Sequence, residues 1–268
     1  MLIDDSRPRQ LHDAGSFASG AIPDLGILEV PFARPAVGES YIEFNDDVNP
    51  ILDELFVDHN QKFLYSNPAI QPGIIACKNP VGDDGDLTGK LVRTAGPWQA
   101  AAIEAWGGTS ATIGTADLYN SLQNGTVDCT LMVYNLYESL KLPEVAPYVY
   151  RFEFGANYQA INMNMDAWNS LSEEDQTAFL EAGAAAQSYA FELLDSSIEP
   201  VVTGLESAGA KFCRPSDASI EKKVDAIDEV RDEIAKGVTE RGEKLLEISK
   251  NYRDDAIQAP EFGPVDPC

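Results

Sequence analysis

Residues 90–114 read KLVRTAGPWQAAAIEAWGGTSATIG, and their order decides the fold. The apolar run LVRT is a short strand that ends at Ala95-Gly96. Pro97 suits the first turn of a helix, where its missing N–H costs nothing. WQAAAIEAW (98–106) supplies that helix and Gly107-Gly108 stop it. TSATIG (109–114) is a second strand. ADLYNSLQNG (116–125) then reads as a helix closed by Gly125, and TVDCTLMVY (126–134) as another strand. Upstream, KFLYSN (62–67) and GIIACKNP (73–80) have the composition of buried strands. Strands alternating with helices across 62–134 predict βαβ units and a mainly parallel sheet.

The flanks extend this α/β pattern. DLGILEVPFARP (24–35) is an apolar run closed by two prolines, which predicts a strand and a loop. NPILDELFVDHNQK (49–62) places Ile51, Leu52, Leu55 and Phe56 on one helical face. YVYRFEFGANYQAINMNM (148–165) is extended and too long for one ordinary strand. In 171–199, Ser172 is a good N-cap and the acids 173–175 fill the first turn of a long helix. Its expected buried side carries Ala178, Leu180, Ala185, Tyr189 and Leu193. At 1.5 Å per residue such a helix outruns a small lobe, which points to an element crossing between two lobes. Residues 216–253 form a charged helical stretch with one apolar face.

Composition narrows the function. The chain has 268 residues, enough for one large domain or two small ones, and a formal charge of −25. So acidic a surface repels nucleic acid and anionic membranes and favours solubility, including in a salty medium. No apolar run has the length of a membrane span. Met1 is followed by LIDDSRPRQ, which is not a secretory leader. Cys77, Cys129, Cys213 and Cys268 form no C-x-x-C pair. They read as small buried residues plus a terminal thiol, with a Cys213–Cys268 disulfide open to the chain in an oxidising compartment.

A catalytic constellation is not visible. His12 and His59 are far apart, and His12-Asp13 are sequence neighbours that rarely face one another. There is no G-x-S-x-G, Walker loop, G-x-G-x-x-G or H-E-x-x-H. Asp83, Asp84 and Asp86 lack the glutamate a calcium loop needs at its twelfth position and read as a solvated turn. Binding has a clearer signal in Arg93, a charge inside an apolar strand. A buried guanidinium needs a partner, because an unpaired buried charge is very costly. Its planar fork matches a carboxylate. One of the chain's own acids and the carboxylate of a ligand fit that role equally.

The order DLTGKLVRTAGPWQAAAIEAWGGTSATIGTADLYNSLQNGTVDC (86–129) resembles the core of the solute-binding subunits of tripartite ATP-independent periplasmic (TRAP) transporters, DctP type. Asp86, Leu87, Gly89, Arg93, Gly96, Tyr119, Leu122, Gln123, Gly125, Val127 and Asp128 carry the match. Asn164, Ala167, Trp168, Leu171 and Gln176 continue it downstream, LPEVAPYVY adds a further piece, and Pro23, Pro31 and Phe32 extend it upstream. The resemblance covers about residues 10 to 200 and implies a two-lobed, type II-like periplasmic-binding-protein clamshell. Strands and a long helix cross between its lobes. Lobe I is then expected over 1–72 plus 156–198, and lobe II over 73–155 plus 199–268. Family members open with a strand, a helix and a second strand that do not precede Met1 here. Lobe I is therefore expected to be incomplete, as in an internal fragment or a chain with a misplaced start.

The implied function is non-enzymatic: capture of an organic acid in the interlobe cleft and delivery to TRAP membrane subunits, without a cofactor or metal, in the periplasm. A sensing module for a signalling receptor and an enzyme on a related clamshell are the alternatives. The family's substrate-clamping arginine maps onto Arg93. Thr115 stands where sialic-acid-type members carry an aromatic, Met132 where they carry an asparagine, and their second arginine falls near Gly73. These departures point to a single-carboxylate ligand with an apolar body. Tyr134, Asn135 and Gln71 are expected to add polar contacts, and Trp98, Ser16, Phe17 and Tyr158 complete the expected site. Met132 and Tyr134 fit core packing as well as cleft lining.

Overall fold

A computed structural model describes residues 10–14, 21–67, 71–82, 84–155 and 159–258. In chain order the strands are β1 (Gln10–Ala14), β2 (Gln61–Ser66), β3 (Gly73–Cys77), β4 (Leu91–Thr94), β5 (Thr109–Thr112), β6 (Cys129–Val133), β7 (Tyr148–Phe154), β8 (Gln159–Asn164) and β9 (Lys211–Cys213). The helices are α1 (Gly38–Val57), α2 (Pro97–Ala105), α3 (Leu118–Gln123), α4 (Tyr134–Ser139), α5 (Met165–Asn169), α6 (Glu173–Ser207), α7 (Asp217–Ala235), α8 (Glu240–Asn251) and α9 (Arg253–Ile257).

Two sheets organise these elements. One has three antiparallel strands in the order β1-β8-β2. The other has six, in the order β5-β4-β6-β3-β7-β9. Helices α2 and α3 make parallel crossovers, so β4, β5 and β6 are parallel. The expectation of a mainly parallel sheet over 62–134 is corrected at its first two strands. Only residues 67–72 join β2 to β3, too few for a crossover helix. They carry the chain from the small sheet to the large one, where β3 runs antiparallel to both β6 and β7. The extended stretch 148–165 likewise divides between the sheets, β7 in the large one and β8 in the small one.

The six-stranded sheet is apolar on both faces. Ile75, Val92, Leu131, Tyr150 and Phe152 face one core, while Ile74, Met132 and Val149 face another, built against Phe191, Leu194, Ile198 and Val202 of α6. The strand expected in 24–35 is a 3₁₀ helix, Pro23–Leu28, followed by turns. Its backbone is bonded by side chains of the C-terminal helices instead of a neighbouring strand. Ser249 Oγ donates to the Ala33 carbonyl at 2.6 Å, and the Arg231 guanidinium donates to the Phe32 carbonyl. The Asp24 carboxylate accepts from Thr239 N at 2.8 Å.

Helix α6 runs for 35 residues, longer than its sequence signal, and its buried side is not the expected one. Gly183, Phe191, Leu194, Ile198, Val202 and Leu205 are buried, whereas Ala178, Leu180, Ala185, Tyr189 and Leu193 are exposed. The helix carries two apolar stripes, and close approach to β2 selects one. A Cβ added to Gly183 would lie 3.1 Å from Tyr65 Cδ1 and 3.2 Å from the Leu64 carbonyl oxygen. The cysteine reading is also corrected. Cys77 and Cys129 are register partners on β3 and β6 and form a buried disulfide, with Cα atoms 4.0 Å apart. The Cys213–Cys268 pairing falls on Cys268, outside the described residues.

Candidate functional site

Strand β4 is four residues long and Arg93 is its third. Parallel pairing sets Arg93 opposite Ala111 of β5 and Thr130 of β6, toward the C-terminal end of the parallel strands. Crevices beyond that end are where open α/β sheets bind ligands. Alternation along the strand places Arg93 on the face of Thr130 and Met132. The residue is 5% exposed. Its Nε donates to the Ile113 carbonyl at 2.8 Å, which fixes the plane of the guanidinium. No carboxylate pairs with it among the described residues. Burial without a counter-charge pulls its pKa below the ordinary arginine value.

Several buried polar groups lie on the adjoining elements. Thr94 is fully buried and its Oγ1 has no partner among the described residues. Gln99 accepts from Ala95 N at 2.9 Å and holds the turn between β4 and α2. Trp98 follows that turn and lies against Gly26, where a Cβ would come within 2.3 Å of its Nε1; that indole N–H also lacks an acceptor. Gln71, on the connection between the sheets, is 3% exposed. It donates from Nε2 to Ser197 Oγ of α6 at 2.9 Å and keeps a buried, unpartnered Oε1.

The other expected residues are dispersed. Thr115 is exposed at the start of a short 3₁₀ turn, and Asn135 is half-buried, its side chain turned back on Leu136 N. Met132 pairs in register with Ile74 and packs in the α6-side core. Tyr134 is fully buried and donates to Glu153 Oε1 at 2.9 Å. Burial, then the neighbouring Glu153 charge, raises its pKa well above the usual tyrosine value. Ser16, Phe17 and Tyr158 lie outside the described residues.

The sequence reading missed a second buried guanidinium. Arg151 donates from Nε to Glu153 Oε1 at 2.8 Å and approaches the same oxygen through Nη2 at 2.6 Å. Glu153 is 1% exposed and takes a left-handed backbone, φ 52°, that brings its carboxylate back toward Arg151. Arg214 lies 3.8 Å from its other oxygen. The detectable signal is R-F-E inside YVYRFEF, opposite charges two apart and so on one face of a strand. Arg151 is thus neutralised from within the chain; Arg93 has no such partner among the described residues.

Comparison with known proteins gives a family match. The model of the bacterial extracellular solute-binding protein family 7, DctP, matches residues 9–237. The ectoine-binding periplasmic protein TeaA of Halomonas elongata is 24% identical over 246 residues, covering 90% of this chain and 72% of that protein. The 2,3-diketo-L-gulonate-binding periplasmic protein YiaO of Escherichia coli is 22% identical over 243 residues, covering 90% and 73%. The solved structure of the ectoine-binding protein of the TeaABC TRAP transporter of Halomonas elongata superposes with a TM-score of 0.83 at 23% identity, covering 92% of this chain and 82% of that one.

Proposed function

The chain belongs to the bacterial extracellular solute-binding proteins of family 7, and from that premise we propose that it captures a small organic acid and passes it to the membrane subunits of a TRAP-type transporter. The observation that carries the carboxylate is Arg93. It is buried, its plane is set by the Ile113 carbonyl, and no acid among the described residues neutralises it. A ligand carboxylate completes the guanidinium fork, and Gln71, tied to Ser197 of the α6 that packs on the Met132 face of the sheet, keeps a buried Oε1 without a partner among the described residues. The role proposed is non-catalytic, in keeping with a family of solute-binding proteins: capture needs placement and charge. Ectoine and 2,3-diketo-L-gulonate, named for the relatives, each carry a carboxylate.

The lobes are proposed as 1–72 plus 156–198 and 73–155 plus 199–268. In support, β1, β2 and β8 share one sheet and the remaining strands share the other. Periplasmic residence is supported by the Cys77–Cys129 bond, which belongs to an oxidising compartment. No helix of the described residues is long and apolar enough to cross a membrane.

Mass spectrometry of ligand retained by the purified protein names the acid, and calorimetric titration with it tests Arg93. Arg93→Ala is expected to lose roughly 2–5 kcal/mol of binding, on the order of 30-fold to several-thousand-fold in affinity. Arg93→Lys is expected to recover part of this, because an ammonium keeps the charge and loses the fork. Unchanged affinity in Arg93→Ala overturns the assignment.

A further inference from the structure

A groove of about 560 Å³ lies at the end of the six-stranded sheet away from Arg93, between the 84–88 loop, the close of α2 and the first turns of α7. Its size falls within the roughly 300–1,000 Å³ of small-molecule pockets. Lys223 of α7 lines it and is 8% exposed. The ammonium stands 5.6 Å from the centroid of the Trp106 ring and 5.4 Å from that of Phe152. It makes no hydrogen bond or ion pair with any described residue. Nor is Nζ among the sealed polar atoms, so its remaining exposure opens into the groove. Trp106 is held in place by its own N–H, which donates to the Lys223 carbonyl at 3.0 Å.

We propose that this groove is a second binding site, for a small monocarboxylate with an apolar or aromatic body, whose carboxylate pairs with Lys223 and whose body lies along Trp106. The seat is the lysine and not the helix terminus. Asp84 already fills the first turn of α7, accepting from Ser216 Oγ at 2.7 Å and Ser216 N at 3.3 Å. A buried ammonium resting on aromatic faces is a desolvated cation, and Asp86 and Asp84 act on it through space without reaching ion-pair distance. Burial, the largest influence on it, lowers its pKa, and the opposing pull of Asp86 and Asp84 does not offset it. The single charge of the ligand follows from the rim. Asp84 and Asp86 line the same groove with Lys222, so the two rim carboxylates repel a second negative charge, and the one ammonium that no carboxylate reaches at ion-pair distance, Lys223, takes one. The apolar body follows from the indole and the lysine stem, which offer no donors of their own beyond the one already spent.

Benzoate is the probe, followed by the indole N–H signal of Trp106 in a heteronuclear NMR titration. An Arg93→Ala background removes the expected cleft site, so failure here is separate from failure of the organic-acid reading. Saturable benzoate shifts at Trp106 are expected in wild type and in Arg93→Ala. Lys223→Met keeps the packed stem and removes the charge, and is expected to weaken binding about tenfold or more, the size of one charge-assisted contact. Asp86→Asn is expected to tighten it, which gives a readout that survives poor folding of Lys223→Met. Absence of saturation, affinities unchanged in Lys223→Met and Asp86→Asn alike, or inorganic phosphate binding as tightly as benzoate would each overturn the proposal.

Discussion

Arg93 and Arg151 both sit in strands of the six-stranded sheet, and they differ in what neutralises them. Arg151 has Glu153 at hydrogen-bond distance in a buried setting, whereas Arg93 has a backbone carbonyl. Removing one member of a buried pair leaves the other charge stranded, at a cost of about 3–5 kcal/mol. Glu153→Gln is therefore expected to lower unfolding stability by that amount in urea titrations. Arg93→Ala in the ligand-free protein is expected to lose far less, since no counter-charge is stranded; equal losses would place both arginines in the same structural role. Arg93 was legible because a charge interrupts an otherwise apolar strand. For Glu153 the sign is fainter: R-F-E sets opposite charges two apart on one strand face, and its left-handed backbone has no sequence sign. The roles of Met132 and Tyr134 stood open between packing and cleft, and burial places both side chains within the α6-side core.

Among the elements, the best-read ones had two independent signals. Helix α2 was bracketed by Pro97 and Gly107-Gly108, and β4, β5 and β6 were short apolar runs between such punctuation. The 24–35 run had apolarity without a period, and it folded as a 3₁₀ helix and turns whose backbone is held by Arg231 and Ser249. Helix α6 was found, and its buried face was not. Two apolar stripes run along it, and contact with β2 chooses between them only once the sheet exists. The Cys77–Cys129 bond was invisible for a related reason: strands 52 residues apart become register partners through topology. A cross-link closing a loop of that length constrains the unfolded chain by about 4 kcal/mol in the chain-entropy account. The Cys77→Ala/Cys129→Ala double variant is expected to lose stability of that order, read from denaturant midpoints. A loss under about 1 kcal/mol would show that the strand pairing alone supplies the constraint.

At the scale of the molecule, the α/β character is readable from alternation and a crossing between lobes from the long helix, whereas alternation puts β2 and β3 in one sheet that the structure divides. Only a few connections link the sheets, among them residues 67–72, the segment between β7 and β8, and α6, to which Gln71 is tied through Ser197. Few links permit hinge motion, and a ligand that contacts both lobes favours the closed form. The radius of gyration from solution scattering is expected to fall when the retained acid is added back to ligand-free protein. A profile unchanged at saturation would argue for a rigid receptor.

The disulfide between β3 and β6 has one more consequence. Both sulfurs are fully buried, and thiol–disulfide exchange depends on access. Oxidant therefore reaches this pair while the strands are still assembling, and reductant reaches it only when they come apart. Once the chain has folded, the oxidation state of Cys77 and Cys129 is a record of the surroundings in which folding took place. A preparation made in a reducing cytosol and one exported before folding will differ at this bond.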